Sequence, residues 1–232
     1  MNNRRMFFAA CVAVSSMAMC QVASAQDQTN TTTPIGNLTE GSRLSVGDEI
    51  FLMDLIHANA LEVELSRIAR RQAASTGVSD FANTMIHAHS DLQNQLFTSY
   101  GNRSWIASWV RTNPTPTDRD MGYMNSTNTS PPASGAWNNW MFLDPSDWET
   151  IRHLDGLSGE GFDREYIQMM VRDHHKIKAE MWKEQNDTLN SDIKTLITAT
   201  LPTVSSHLEM ARGMSFSYQD PFDVSRGNAW SH

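Results

Sequence analysis

Apolar residues recur every three or four positions along four stretches of the chain, the pattern of helices that bury one face. In the first, Phe51, Leu55, Ala58, Leu65 and Ala69 share a side, and Ser45 with Asp48 stand in capping-box positions ahead of them. The spacing predicts a helix from there to about Thr76, stopped by Gly77. The second stretch puts Val78, Ala82, Met85, Leu92 and Leu96 on one face and ends at Tyr100 before Gly101. A third runs from near Phe162 to about Gln185, with Tyr166, Met170, Ile177 and Met181 in line. A fourth starts behind Asn190 and Ser191 and reaches about Met214, carrying Ile193, Leu196, Ile197, Thr200, Val204 and Ala211, with a local bend expected at Pro202.

The connections set the topology. Ser75, Thr76 and Gly77 form one short link and residues 186–191 another, so the helices fall into two antiparallel pairs. Residues 102–158 join the pairs and hold Trp105, Trp109, Trp137, Trp140 and Trp148 among Pro, Asn, Ser and Thr. Two pairs with one long crossover predict an all-α, ferritin-like four-helix bundle over residues 45–214. No alternating strand pattern competes with it. The tryptophans are expected to pack the crossover onto the bundle or to present aromatic faces to an envelope or glycan partner.

Each predicted helix carries polar chemistry on its apolar side. His89 lies near the centre of the second face, His174 inside the third, and His207 belongs with the fourth, while His87 and His175 point away. Glu62 continues the first face near its edge, and Asp54 falls in the same sector nearer the helix end. Asp173 flanks His174. Glu62, His89 and His174 lie roughly 16–21 Å from both ends of their helices at 1.5 Å per residue, so they should meet at mid-height. Three imidazoles and one carboxylate suit iron, zinc, copper or nickel, and iron or copper is expected ahead of zinc. A dinuclear carboxylate centre would need Glu-x-x-His on two helices; the chain has none, and the nearest match is Asp54-x-x-His57. Met85 and Met170 stand one turn before His89 and His174, where a thioether would favour Cu(I) and where methionine also simply fills core space. The same residues equally admit a metal-free reading, a buried Glu–His hydrogen-bond network that fixes helix register.

Composition narrows the setting. Residues 1–25 carry Arg4 and Arg5, an apolar run from Phe7 to Cys20, and Ala23-Ser24-Ala25, which predicts a secretory signal peptide cleaved after Ala25. The paired arginines also fit twin-arginine export, and Met19 before Cys20 argues against a lipoprotein. Periplasmic or secreted protein is the expectation. Both cysteines, Cys11 and Cys20, lie in that leader, so a processed chain depends on its core rather than on disulfides. Residues 26–44 read as a flexible polar lead and 215–232 as a tail. With 26 acidic against 18 basic residues, a net charge of −8, and no basic cluster, nucleic-acid and anionic-membrane binding are not expected. No later run approaches the ~20 apolar residues of a membrane span. Nor does any nucleophile-elbow or phosphate-loop motif point to hydrolysis.

The stretches FLMDLIHANALEVELSRIA, VSDFANTMIHAHSDLQNQL, LSGEGFDREYIQMMVRDHHKI and LPTVSSHLEMA resemble exported bacterial ferritin-like proteins of a domain-of-unknown-function family. The resemblance spans about residues 48–101 and 154–214. It implies an exported ferritin-like bundle with polar positions at Glu62, His89, Asp163, Tyr166, His174 and His207. Where the family has Asp-His in the second helix this chain has Ala88-His89, which removes a carboxylate that would orient the imidazole.

Overall fold

Ser45 starts the first helix by a reciprocal cap. Its hydroxyl accepts the Asp48 N–H at 3.1 Å, and the Asp48 carboxylate accepts the Ser45 N–H at 2.7 Å. In the computed structural model, which describes residues 43–106, 108 and 139–217, this helix, α1, spans Val46–Gln72. After it come α2 (Thr76–Tyr100), a 3-10 turn (Asn139–Phe142), α3 (Pro145–Asp155), α4 (Gly159–Asp187) and α5 (Ser191–Ser217). The described residues are helical and contain no strand.

The first boundary differs from expectation. α1 ends at Gln72 rather than Thr76, and Gly77 lies in the first turn of α2 instead of stopping α1. The cause is tertiary: Asp163, near the start of α4, accepts the backbone N–H groups of Ala74 and Ser75 at 2.9 and 2.8 Å. Those groups are thereby satisfied outside a helix. At the other link Asn190 caps α5, its Oδ1 accepting from Asp192 and Ile193 at 2.9 and 3.1 Å. α5 contains Pro202 and continues three residues beyond Met214. Gly159 opens α4 at φ +62°, a conformation that strains any residue with a Cβ.

α1 and α2 pack together along their length, as do α4 and α5; α1 also meets α4, α3 and the 3-10 turn, and α2 meets α5. The result is a helical bundle with α1 at its centre. For that reason α1 buries far more than one stripe: Leu52, Ile56, Ala60, Val63 and Ile68 join Phe51, Leu55 and Leu65 in the core. Asp54, by contrast, is exposed rather than in the apolar sector, and Ala58 is only half-buried.

The crossover holds a helix beyond the four that the apolar spacing predicts. Asp144 and Asp147 form a capping box, Pro145 occupies the first turn, and Trp148, Ile151 and Leu154 bury one side of α3. Trp148 is buried, and Trp105 and Trp140 pack partly buried against the same core. Trp109, Trp137, the leader, the lead up to residue 42 and the tail from residue 218 lie outside the described residues. No described helix is long and apolar enough to cross a membrane.

Candidate metal centre

Four helices each bring an ionisable side chain to a single buried point. Glu62 of α1, His89 of α2, His174 of α4 and His207 of α5 are 4%, 6%, 0% and 2% exposed, so bulk solvent does not reach their polar atoms. One ring nitrogen from each of His89, His174 and His207 lies within 4.8 Å of the other two. The imidazole centroids are 5.3–5.6 Å apart, His89 edge-on to His174 at 83°. His175, one residue on, is exposed and pairs with Arg212 on the surface, and His87 is exposed as well.

Glu62 stands behind two of the rings. Its Oε2 is 3.0 Å from His89 Nδ1 and its Oε1 is 3.3 Å from His174 Nδ1. His174 Nδ1 also lies 3.0 Å from the Met170 carbonyl oxygen, so acceptors surround it and it carries the proton. That leaves His174 Nε2 as a lone pair, 3.4 Å from His207 Nδ1. His89 Nε2 is buried and has no hydrogen-bond partner among the described residues.

The charges follow from this packing. Burial works to raise the Glu62 pKa, but the imidazoles of His174 and His89 outweigh it and hold the carboxyl near 2. Burial lowers His174 against the pull of Glu62, and burial with repulsion from His89 and His174 lowers His207 to about 3. At neutral pH the cluster is therefore one carboxylate facing neutral His174 and His207, the protonation state that a metal ligand requires.

The other residues singled out in the sequence lie around this point or away from it. Met85 and Met170 are fully buried, and Met170 enters through its backbone carbonyl. Asp173 is half-buried, its pKa raised to about 6 by burial and then by Glu62. Tyr166 bonds Ser66 across α1 and α4 at 2.9 Å, and Asp163 holds the α1–α2 link. The Glu62 carboxylate also acts on Tyr166, adding to the burial that raises its pKa.

Asn59 and Gln93 were not among the expected residues, yet both are buried beside His89. Asn59 Oδ1 lies 2.7 Å from His89 Nδ1, and Asn59 Nδ2 donates to Gln93 Oε1 at 2.7 Å. A signal for them existed: Asn59 is three residues before Glu62 and Gln93 four after His89, spacings that share a helix face. Asn59 thus meets, together with Glu62, an imidazole that has Ala88 rather than an aspartate before it.

A second grouping, His57 with Asp144 and Asp147, is spaced for a metal but committed otherwise. Asp144 Oδ1 accepts from Ser146 N, Ser146 Oγ and Asp147 N at 2.7, 2.6 and 3.0 Å. Asp147 Oδ2 accepts from Asp144 N and meets His57 Nε2, each at 2.6 Å. These carboxylates cap α3 and tie it to α1.

A helical bundle with a buried cluster of three histidines and a glutamate is the class that fold and site define. The chain belongs to the family described as Domain of unknown function (DUF4142), which matches residues 36–121 and 134–214. Neither the curated proteins nor the solved structures contain a match.

Proposed function

We propose that this protein is an exported, ferritin-like helical bundle that binds one transition-metal ion, iron or copper ahead of zinc, through His89, His174 and His207. Glu62 supplies the balancing negative charge from behind the rings. The observation that carries this reading is the buried, unpartnered Nε2 of His89 beside two further imidazoles. Leaving such an atom unsatisfied costs about 1–3 kcal/mol. A coordinated ion removes that cost, and ligating histidines characteristically donate their other ring N–H to a carboxylate or carbonyl, as His89 and His174 do here. Bound iron or copper would supply a one-electron redox centre in a largely water-free setting.

A metal-free network is the competing reading, and it is favoured by how completely Glu62 and Asn59 are engaged. It leaves His89 Nε2 unexplained. Export is supported by the leader pattern alone, and the mass of the protein from the periplasmic fraction tests cleavage after Ala25. Elemental analysis of untagged protein from that fraction, followed by titration with Fe(II), Cu(II) and Zn(II), tests the site. Close to one equivalent is expected. Less than about a tenth, with no uptake on titration, ends the metal reading and leaves the network.

A further inference from the structure

Every polar atom of the Asn59 side chain is used, and the pattern of use has a direction. Its Nδ2 donates to the His89 backbone carbonyl at 2.6 Å and to Gln93 Oε1 at 2.7 Å, and its Oδ1 lies 2.7 Å from His89 Nδ1. Gln93 Nε2 in turn donates to the Ile56 carbonyl at 3.4 Å. Asn59 and Gln93 are 2% and 3% exposed, so bulk solvent offers no alternative partners.

A backbone carbonyl can only accept, so the side-chain atom 2.6 Å from the His89 oxygen must be Asn59 Nδ2 and the one facing the Ile56 oxygen Gln93 Nε2, which turns Gln93 Oε1 towards Asn59. The His89 carbonyl and Gln93 Oε1 together take both N–H groups of Asn59, so only its oxygen can face the imidazole. A flipped Asn59 amide would set oxygen against oxygen twice. A neutral His89 ring must then donate from Nδ1, which makes Nε2, the nitrogen without a hydrogen-bond partner among the described residues, a bare lone pair.

We infer that Asn59, held by Gln93, is the positioning residue that fixes His89 as its Nδ1–H tautomer and so makes Nε2 the metal-binding atom. The tautomer is a property of the metal-free protein, and only its use rests on the metal reading. Glu62 also accepts from His89 Nδ1, but at 3.0 Å against 2.7 Å for Asn59, and it is shared with His174. Asn59 adds an acceptor for the ring without adding a second buried charge beside Glu62.

Long-range proton–nitrogen NMR of the full chain without metal reads the His89 tautomer directly, in wild type, Asn59→Leu, Gln93→Leu and Glu62→Gln. Titration with Cu(II) and Fe(II) then gives the affinity of each. Wild type and Glu62→Gln should show the Nδ1–H form. Both leucine variants should show mixed tautomers and bind metal about 10–100-fold more weakly, the usual effect of removing a partner behind a ligand. Gln93→Leu carries the test if Asn59→Leu does not fold, since it leaves Asn59 in place and only frees its amide to turn. An Nε2–H wild type overturns the inference, as does a wild-type tautomer retained in Gln93→Leu but lost in Glu62→Gln. A relay that behaves as described in a protein taking up no metal overturns the metal reading and leaves the tautomer assignment standing.

Discussion

Asp163 of α4 holds Ser75, the residue just before α2, by accepting its backbone N–H at 2.8 Å, and the same carboxylate takes Ala74 at 2.9 Å. One side chain from the second helix pair thereby shapes the turn of the first. Asp163→Ala leaves two amides without their acceptor and should cost about 1–3 kcal/mol, measured by chemical denaturation. An unchanged midpoint would show that water or α1 itself satisfies them.

His57 and Asp147 should make stability depend on pH. The hydrogen bond to Asp147 raises the His57 pKa, against partial burial, with the charges of Asp147, Asp144 and Asp54 adding to it. A raised histidine contributes stability that is full below its unfolded pKa, ordinarily about 6.5, and is lost as pH rises through the folded value. The advantage of wild type over His57→Gln in thermal unfolding should therefore be larger at acidic pH and shrink towards pH 9. A difference that stays flat across that range would mean the pair is held without the proton.

Glu184 has the opposite sign. Burial and its hydrogen bond to Asp48 raise its pKa. Asp48 is lowered, because its bonds from Thr188 and Ser45 outweigh burial. The fold favours a protonated Glu184 beside an ionised Asp48, so stability falls as pH rises from the ordinary glutamate range through the raised value. Glu184→Gln keeps the donor without the titration. It should melt higher than wild type at pH 7, with the gap closing below about pH 4, where glutamate is protonated in both states. A variant less stable at pH 7 would show that the carboxylate form is the one the fold holds.

For His174 the deciding comparison is melting with chelator against melting with saturating Fe(II) or Cu(II). Wild type should melt higher with metal, and His174→Ala should lose that response because ligand-linked stability goes with the site. His175→Ala removes only a surface contact with Arg212 and should stay within about 0.5 kcal/mol of wild type with the metal response intact. If metal moves none of the three proteins while His174→Ala is strongly destabilised in chelator, the residues form a network.

The long helices were legible because each writes its own period: His174 beside exposed His175 follows directly from 100° per residue. What periodicity could not carry was anything decided by another segment. The end of α1 at Gln72 depends on Asp163, 91 positions away, so Gly77 looked like a stop. Asp54 looked inward because α1 is apolar on several sides, which blurs its stripe. α3 spans only 11 residues in a Trp-, Pro- and Asn-rich crossover, although Asp144, Pro145 and Asp147 mark its start. At the cluster, charge and histidine drew the eye to Glu62 and His89. Asn59 and Gln93 are uncharged amides whose role exists only in their pairing across α1 and α2.

Glu62 and His89 lie on the first pair of helices, His174 and His207 on the second, and the chain between the pairs is long. Each pair closes through a connection of three residues and, the Asp163 contact with the first turn aside, rests on local contacts, which form quickly. The cluster needs contacts between residues about a hundred positions apart, whose loop-closure entropy must be met first. Each half should therefore collapse into its hairpin before any ligand set exists, and a metal ion would meet the chain only after the halves have docked. An ion arriving that late would leave the folding rate nearly unchanged and slow unfolding instead, persistence rather than speed being what such a centre confers.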